Sequence, residues 1–177
     1  MIEPHCPSVR RLTTRQMVTL SLLVAVEVIL SRFLSFYITP SIKVSFSFLP
    51  VAASGILFGP FGGLVVGALG DLVGALLFPV GSYLPGFTVT AGFSGLLYGL
   101  WLHKKQGFTR LLLARLSVLI LCSTLLNSVF LKIYYGSAFW AMLLPRLLKN
   151  AVQLPADLLL LVGLRKLLAR IPVEVIK

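Results

Sequence analysis

Long apolar runs, broken by short polar or Gly/Pro-containing stretches, follow one another along almost the whole chain. They lie near 16–37, 45–58, 61–78, 86–102, 111–132 and 140–168. A spanning helix needs about 20 mostly apolar residues, so each run reads as a candidate crossing, the second being short. With 177 residues, 58% of them hydrophobic, 12% charged and a mean hydropathy of +0.98, the composition lies well outside that of a soluble domain. The expectation is an all-α integral membrane protein of six transmembrane helices, a single membrane domain over 1–177 with 1–15 as a cytoplasmic tail.

Charge sets the orientation. The net charge of +11 does not point to nucleic acid, because the cations sit at the ends of apolar runs rather than on one face of a soluble fold. Phe58-Gly59-Pro60-Phe61-Gly62-Gly63 is either a kink in one long helix or a tight reversal between two. A reversal puts Arg10, Arg11, Arg15, Lys104, Lys105, Arg110, Arg165, Lys166, Arg170 and Lys177 on one side, in keeping with the positive-inside bias. Both termini are therefore expected in the cytoplasm. The polar stretch Met1 to Gln16, followed by a span holding Glu27 and Arg32, reads as a retained first helix rather than a cleavable signal. Cys6 and Cys122 are too far apart in depth to pair and too few for a metal site.

Polar residues inside such runs are costly and mark candidate sites. Gly63, Gly67, Gly70 and Gly74 share one stripe of the third run, for packing within the bundle or against a partner, and Asp71 lies beside it. The first run carries the small pair Ser21 and Ala25, with Glu27 roughly opposite and Arg32 higher, where it reaches either the outer mouth or the lipid headgroups. In the sixth run Arg146, Lys149, Asn150, Gln153 and Asp157 fall within an arc of about 100°. The fifth offers Ser117, Thr124 and Ser128 on a stripe, with Asn127 beside it and Lys132 at its outer end. If those two faces meet, Asn127, Lys132, Arg146, Lys149 and Asn150 converge in the outer half. Cations there favour an anionic solute. The outer connections hold Tyr37, Tyr83, Tyr134 and Tyr135, a pattern that membrane interfaces also produce. The chain has no phosphate-binding Gly-x-x-x-x-Gly-Lys-Ser/Thr loop, no His-Glu-x-x-His and no Gly-x-Ser-x-Gly elbow, so neither ATP hydrolysis nor membrane enzymology is expected of it.

Arg32-Phe-Leu-Ser, Ser45-Phe-Ser-Phe-Leu-Pro50, Leu57-Phe-Gly-Pro60, Gly67-Ala-Leu-Gly-Asp71-Leu, Phe78-Pro-Val-Gly-Ser-Tyr-Leu-Pro-Gly-Phe-Thr88 and Pro145-Arg-Leu-Leu-Lys149, in this order and spacing, resemble the folate family of energy-coupling-factor S-components. The resemblance runs from about 12 to 168. It implies a six-helix vitamin binder of the bacterial plasma membrane that joins a transmembrane coupling subunit and two cytoplasmic ABC ATPases, without cofactor or metal. It implies docking through the small pair of the first helix, present here as Ser21 and Ala25 rather than two alanines. It also implies a ligand site in the outer half, where Arg32, Lys132, Arg146 and Lys149 would meet the carboxylates of folate. Phe46, Phe48, Tyr83 and Phe87 would stack on its rings beside Thr88, and Asn127 or Asn150 would hydrogen-bond the pterin edge. Rival readings are an S-component for a pyridoxine-like or hydroxymethylpyrimidine compound, and a structural membrane scaffold whose sixth-helix seam only holds the bundle together.

Overall fold

The computed structural model describes residues 13–39, 42–79, 84–103, 107–135 and 139–170. The chain builds α1 (Thr14–Arg32), β1 (Ser35–Thr39), β2 (Ile42–Ser45), α2 (Phe48–Leu77), α3 (Pro85–Leu102) and α4 (Phe108–Ser117). A π-helical segment, Val118–Leu126, then leads into α5 (Asn127–Tyr135), and α6 is Phe139–Arg170. The helices Thr14–Arg32, Phe48–Leu77 and Phe108–Phe130 are long and apolar enough to cross a membrane.

At the start of α1 the Gln16 side chain accepts the Thr13 backbone N–H at 3.1 Å, relieving one of the donors that a helix N-terminus leaves unpaired. The helix stops at Arg32 rather than 37, and residues that the apolar pattern assigned to a helix end and a connection pair as an antiparallel ribbon, Ser35 with Ser45 and Phe36 with Val44. The β-branched and aromatic residues of Ser-Phe-Tyr-Ile-Thr and Ile-Lys-Val-Ser suit a pleated strand at least as well as a helix. Phe46, placed by the pattern inside a helix over 45–58, precedes α2 instead.

Within α2 the backbone breaks at Gly59, whose φ of 79° and ψ of −166° suit a residue without Cβ ahead of Pro60. A Cβ placed on Gly62 would lie 3.4 Å from the Ser54 carbonyl oxygen. Residues 54 and 62 of a continuous helix are separated by about 12 Å along its axis. The chain therefore doubles back at Gly59, and α2 consists of two arms folded side by side.

The second arm fixes its neighbours through glycine. Gly63 meets the Gly95 backbone and Gly67 the backbone of Ala91 and Gly92, so α3 runs antiparallel to this arm. Further along, Gly70 lies under the Glu27 carboxylate and Gly74 under the Arg32 guanidinium, so α1 runs parallel to it. The glycine stripe thus packs inside the bundle, its first half against α3 and its second half against α1. On the first arm, a Cβ at Gly55 would come within 2.8 Å of the Gly99 nitrogen.

These directions gather the end of α1, the ribbon, the start of α3, the end of α5 and the start of α6 at one end of the bundle, called the hairpin end below. The opposite end holds Gly59 and the start of α1. Between them Ala52, Val66, Tyr98, Leu102, Leu111, Ala114 and Leu161 form the buried core. Met17, Val18, Leu22 and Ile29 leave α1 widely exposed along one side.

Candidate functional site

Among the described residues, three polar clusters tie the helices together, and they sort the candidate residues. At the hairpin end, Arg32 of α1 approaches Asp71 of α2 with Nη2 4.0 Å from Oδ1, and Thr88 of α3 donates to Asp71 Oδ2 at 2.8 Å. Arg32 sits over Gly74, where a Cβ would lie 2.9 Å from its Nε. Only 11% of the Arg32 side chain is exposed. Arg32 and Thr88 are thereby engaged with Asp71, and Arg32 projects into the bundle rather than into headgroups. Beside them Phe33 and Phe78 meet edge to face, their ring centroids 5.2 Å apart.

The second cluster joins the π-helical segment to α6. Thr124 Oγ1 donates to the Leu119 carbonyl at 2.9 Å, an i to i−5 bond that follows the local register, and accepts Asn150 Nδ2 at 3.2 Å. Ser123 lies 3.4 Å from the same carboxamide. Asn150 is therefore buried and engaged. Asn127 and Ser128, three and four residues beyond Thr124 on the same face, are different: Asn127 Oδ1 and Ser128 Oγ are buried without a hydrogen-bond partner. Lys132, further toward the hairpin end, is exposed.

The third cluster centres on Arg115 of α4, which the sequence reading did not single out. Its Nη1 donates to the Tyr98 hydroxyl at 2.8 Å, its Nη2 forms an ion pair with Asp157 of α6, and its guanidinium carbon lies 4.5 Å from the centroid of the Phe48 ring. Gln153 donates to the other Asp157 oxygen at 3.3 Å. Arg115 and Asp157 are both buried, so the pair is shielded and the cation covers an aromatic face in an apolar surrounding. The available signal was a cation inside an apolar run, the same signal that marked Asp71.

Phe48 is therefore part of the core, under Arg115, rather than an open stacking surface. Phe46 is partly buried at the edge of that core, and Phe87 is partly buried in α3. The polar face of α6 divides: Asn150, Gln153 and Asp157 are tied to neighbouring side chains, while Arg146 and Lys149 lie on the turns nearer the hairpin end, their side chains outside the described residues. Tyr83 also lies outside the described residues. Ser21 and Ala25 are exposed on α1, the Ser21 hydroxyl bonded back to the Met17 carbonyl at 2.9 Å.

The arrangement is a helical bundle with a polar, partly unsatisfied interior toward the hairpin end and a packed opposite half, which suits holding a solute rather than transforming one. Comparison with known proteins agrees. Residues 15–165 match the family described as ECF transporter, substrate-specific component. The folate transporter FolT of Clostridium novyi (strain NT) is 35% identical over 158 residues, covering 89% of this chain and 91% of that one. The folate transporter FolT of Leuconostoc mesenteroides is 34% identical over 152 residues, covering 82% and 81%. The crystal structure of FolT bound with folic acid superposes with a TM-score of 0.80 at 36% identity, covering 86% of this chain and 93% of that one. The S component of a bacterial ECF transporter shares the fold at a TM-score of 0.68 and 23% identity, covering 88% and 95%. With an apolar helical bundle and matches over most of its length, this chain belongs to the membrane-embedded substrate-specific components of ECF transporters, a family of transport proteins and not of enzymes.

Proposed function

We propose that this chain is the folate-binding S-component of an energy-coupling-factor importer, one multi-pass domain of six spans in a bacterial plasma membrane. The observation that carries the reading is the likeness, at 36% identity and a TM-score of 0.80, to FolT bound with folic acid. Counting the two arms of α2 separately and the stretch from α4 through α5 as one gives the six spans. The Gly59 end is cytoplasmic, because Arg15, Arg110, Arg165, Lys166 and Arg170 sit there, where α1 begins and α6 ends. The hairpin end then faces outward and receives the vitamin.

Folate has a flat pterin, an aromatic linker and a glutamate with two carboxylates, and the hairpin end offers matching chemistry. Arg146, Lys149 and Lys132 supply cations for the carboxylates, with Arg32 nearby on α1. Phe46, Phe87 and Tyr83 supply rings, and Asn127 an uncommitted carboxamide oxygen. Lacking a phosphate loop, the chain relies on a transmembrane coupling subunit and two cytoplasmic ATPases for energy, and the exposed Ser21/Ala25 face of α1 is where small side chains permit close docking.

Calorimetric titration of the purified chain with folic acid, preceded by mass spectrometry of any co-purifying molecule, tests the reading. Tight binding of folic acid is expected. Arg146→Gln and Lys149→Gln should each weaken it roughly tenfold, the loss of one charge-assisted hydrogen bond, with unchanged melting temperature. A bound pyridoxine-like or hydroxymethylpyrimidine compound with no affinity for folic acid would overturn the choice of vitamin. A chain that binds no small molecule would favour the scaffold.

A further inference from the structure

Two asparagines were candidates for the pterin edge, and their surroundings separate them. Asn150 gives its amide hydrogens to Thr124 and Ser123. Asn127 keeps a buried carboxamide oxygen without a partner, and one residue on, Ser128, only 3% exposed, keeps a buried hydroxyl without one. A buried polar atom left unpaired is costly, so two adjacent ones on one face call for an explanation. The antiparallel run of the π-helical segment and α6, fixed by Thr124 with Asn150 and Arg115 with Asp157, puts Asn127 and Ser128 about one turn beyond the Asn150 clasp toward the hairpin end. On α6 that level corresponds to the turn carrying Arg146.

The π-helical segment adds a register argument. Each wide turn rotates all that follows relative to a regular α-helix. Nine residues of π-helix, ending at Leu126, directly precede Asn127. Asn150, by holding Thr124 and Ser123, fixes the segment from which Asn127 and Ser128 project.

We propose that Asn127, assisted by Ser128, reads the ring edge of the ligand, and that Asn150 is a positioning residue acting through the π-helical segment. This rests on the folate reading. The pterin ring presents an N3–H donor beside the O4 acceptor, and a carboxamide is complementary: Oδ1 accepts from N3–H while Nδ2 donates to O4. Ser128 Oγ accepts from the neighbouring 2-amino group. The class of ligand selected at this point is a 2-amino-4-oxo heterocycle, whatever anion the cations of the mouth hold.

The test compares folic acid with p-aminobenzoyl-glutamate, its counterpart without the pterin, by calorimetry on the full chain in detergent. Asn127→Asp keeps an acceptor for N3–H but sets a second acceptor against O4, and should lower the affinity for folic acid relative to p-aminobenzoyl-glutamate by about tenfold or more. This ratio is independent of the fraction of protein that is active, so a general loss of stability leaves it unmoved. Asn127→Ser, which serves if the first variant does not fold, should lower folic acid affinity about tenfold while retaining the melting temperature of the free protein. A folded Asn127→Asp with the wild-type ratio, or Asn127→Ser with wild-type affinity, overturns the assignment while leaving folate binding intact. A wild-type chain that binds neither compound overturns the folate reading, and this inference with it.

Discussion

Among the described side chains, Arg115 ties together more of the bundle than its position in an apolar run suggests. It reaches Tyr98 on α3, Asp157 on α6 and the Phe48 ring at the start of α2, so one guanidinium joins four elements. Removing one member of a buried ion pair leaves the other charge uncompensated, at a cost of about 3–5 kcal/mol. Arg115→Met and Asp157→Leu should therefore each lower the thermal midpoint of the purified protein sharply, and the double variant should be more stable than either single one. Additive losses in a double-mutant cycle would show that the two residues act independently. The same logic separates residues that looked alike in sequence. Asn150 and Asn127 are both polar residues on inward helix faces, and only their partners reveal that the first is committed and the second is not. Asp71 likewise showed its cost in the sequence but not its partners, Arg32 and Thr88, which come from two other helices.

At the level of elements, glycine sets the distance between helices. Gly63 and Gly95 bring α2 and α3 into backbone contact, so a methyl group at either must push the two helices apart. Gly63→Ala is expected to destabilise by about 1–3 kcal/mol, as overpacking does. Gly59→Ala acts differently, because the site is open enough for a methyl group, 3.4 Å from the His103 ring, but its φ of 79° with ψ of −166° is a combination that only glycine adopts readily, at a cost of about 1–3 kcal/mol for a residue with Cβ. Thermal melting of both variants checks these values, and a neutral Gly59→Ala would contradict the strained turn. Much of this architecture could be read from the sequence. The glycine stripe announced close packing, and Gly59-Pro60 between two apolar runs announced a break, with the distribution of cations favouring a reversal. The ribbon was not legible, since Phe36, Tyr37, Ile38 and Val44 continue an apolar pattern that suits helix and strand alike when the stretch is short. Nor was the π-helical segment, because Val118 to Leu126 has the composition of any apolar helix.

The whole molecule presents α1 at its margin, with Met17, Val18, Leu22 and Ile29 exposed beside Ser21 and Ala25, while the inward side of the same helix holds Glu27 and Arg32 against α2. The docking proposed above uses this exposed side through Ser21 and Ala25, away from Glu27, which packs on Gly70. Replacing both Ser21 and Ala25 with Leu should abolish recovery of the complex with the coupling subunit and leave folic acid affinity in place, measured in parallel by pull-down and calorimetry. An intact transporting complex would move the docking face elsewhere. The ion pair in the bundle also bears on how such a chain is made. Arg115 and Asp157 are 42 residues apart, so during synthesis the cation emerges well before its counter-ion. Arg115 lies toward the start of the span Phe108–Phe130, where a long cationic side chain can reach the membrane surface. The helix that carries it can therefore enter lipid with its cation turned toward the headgroups and draw the guanidinium inward when the last helix brings Asp157, so an order of assembly is written into a contact that, in the finished protein, looks purely architectural.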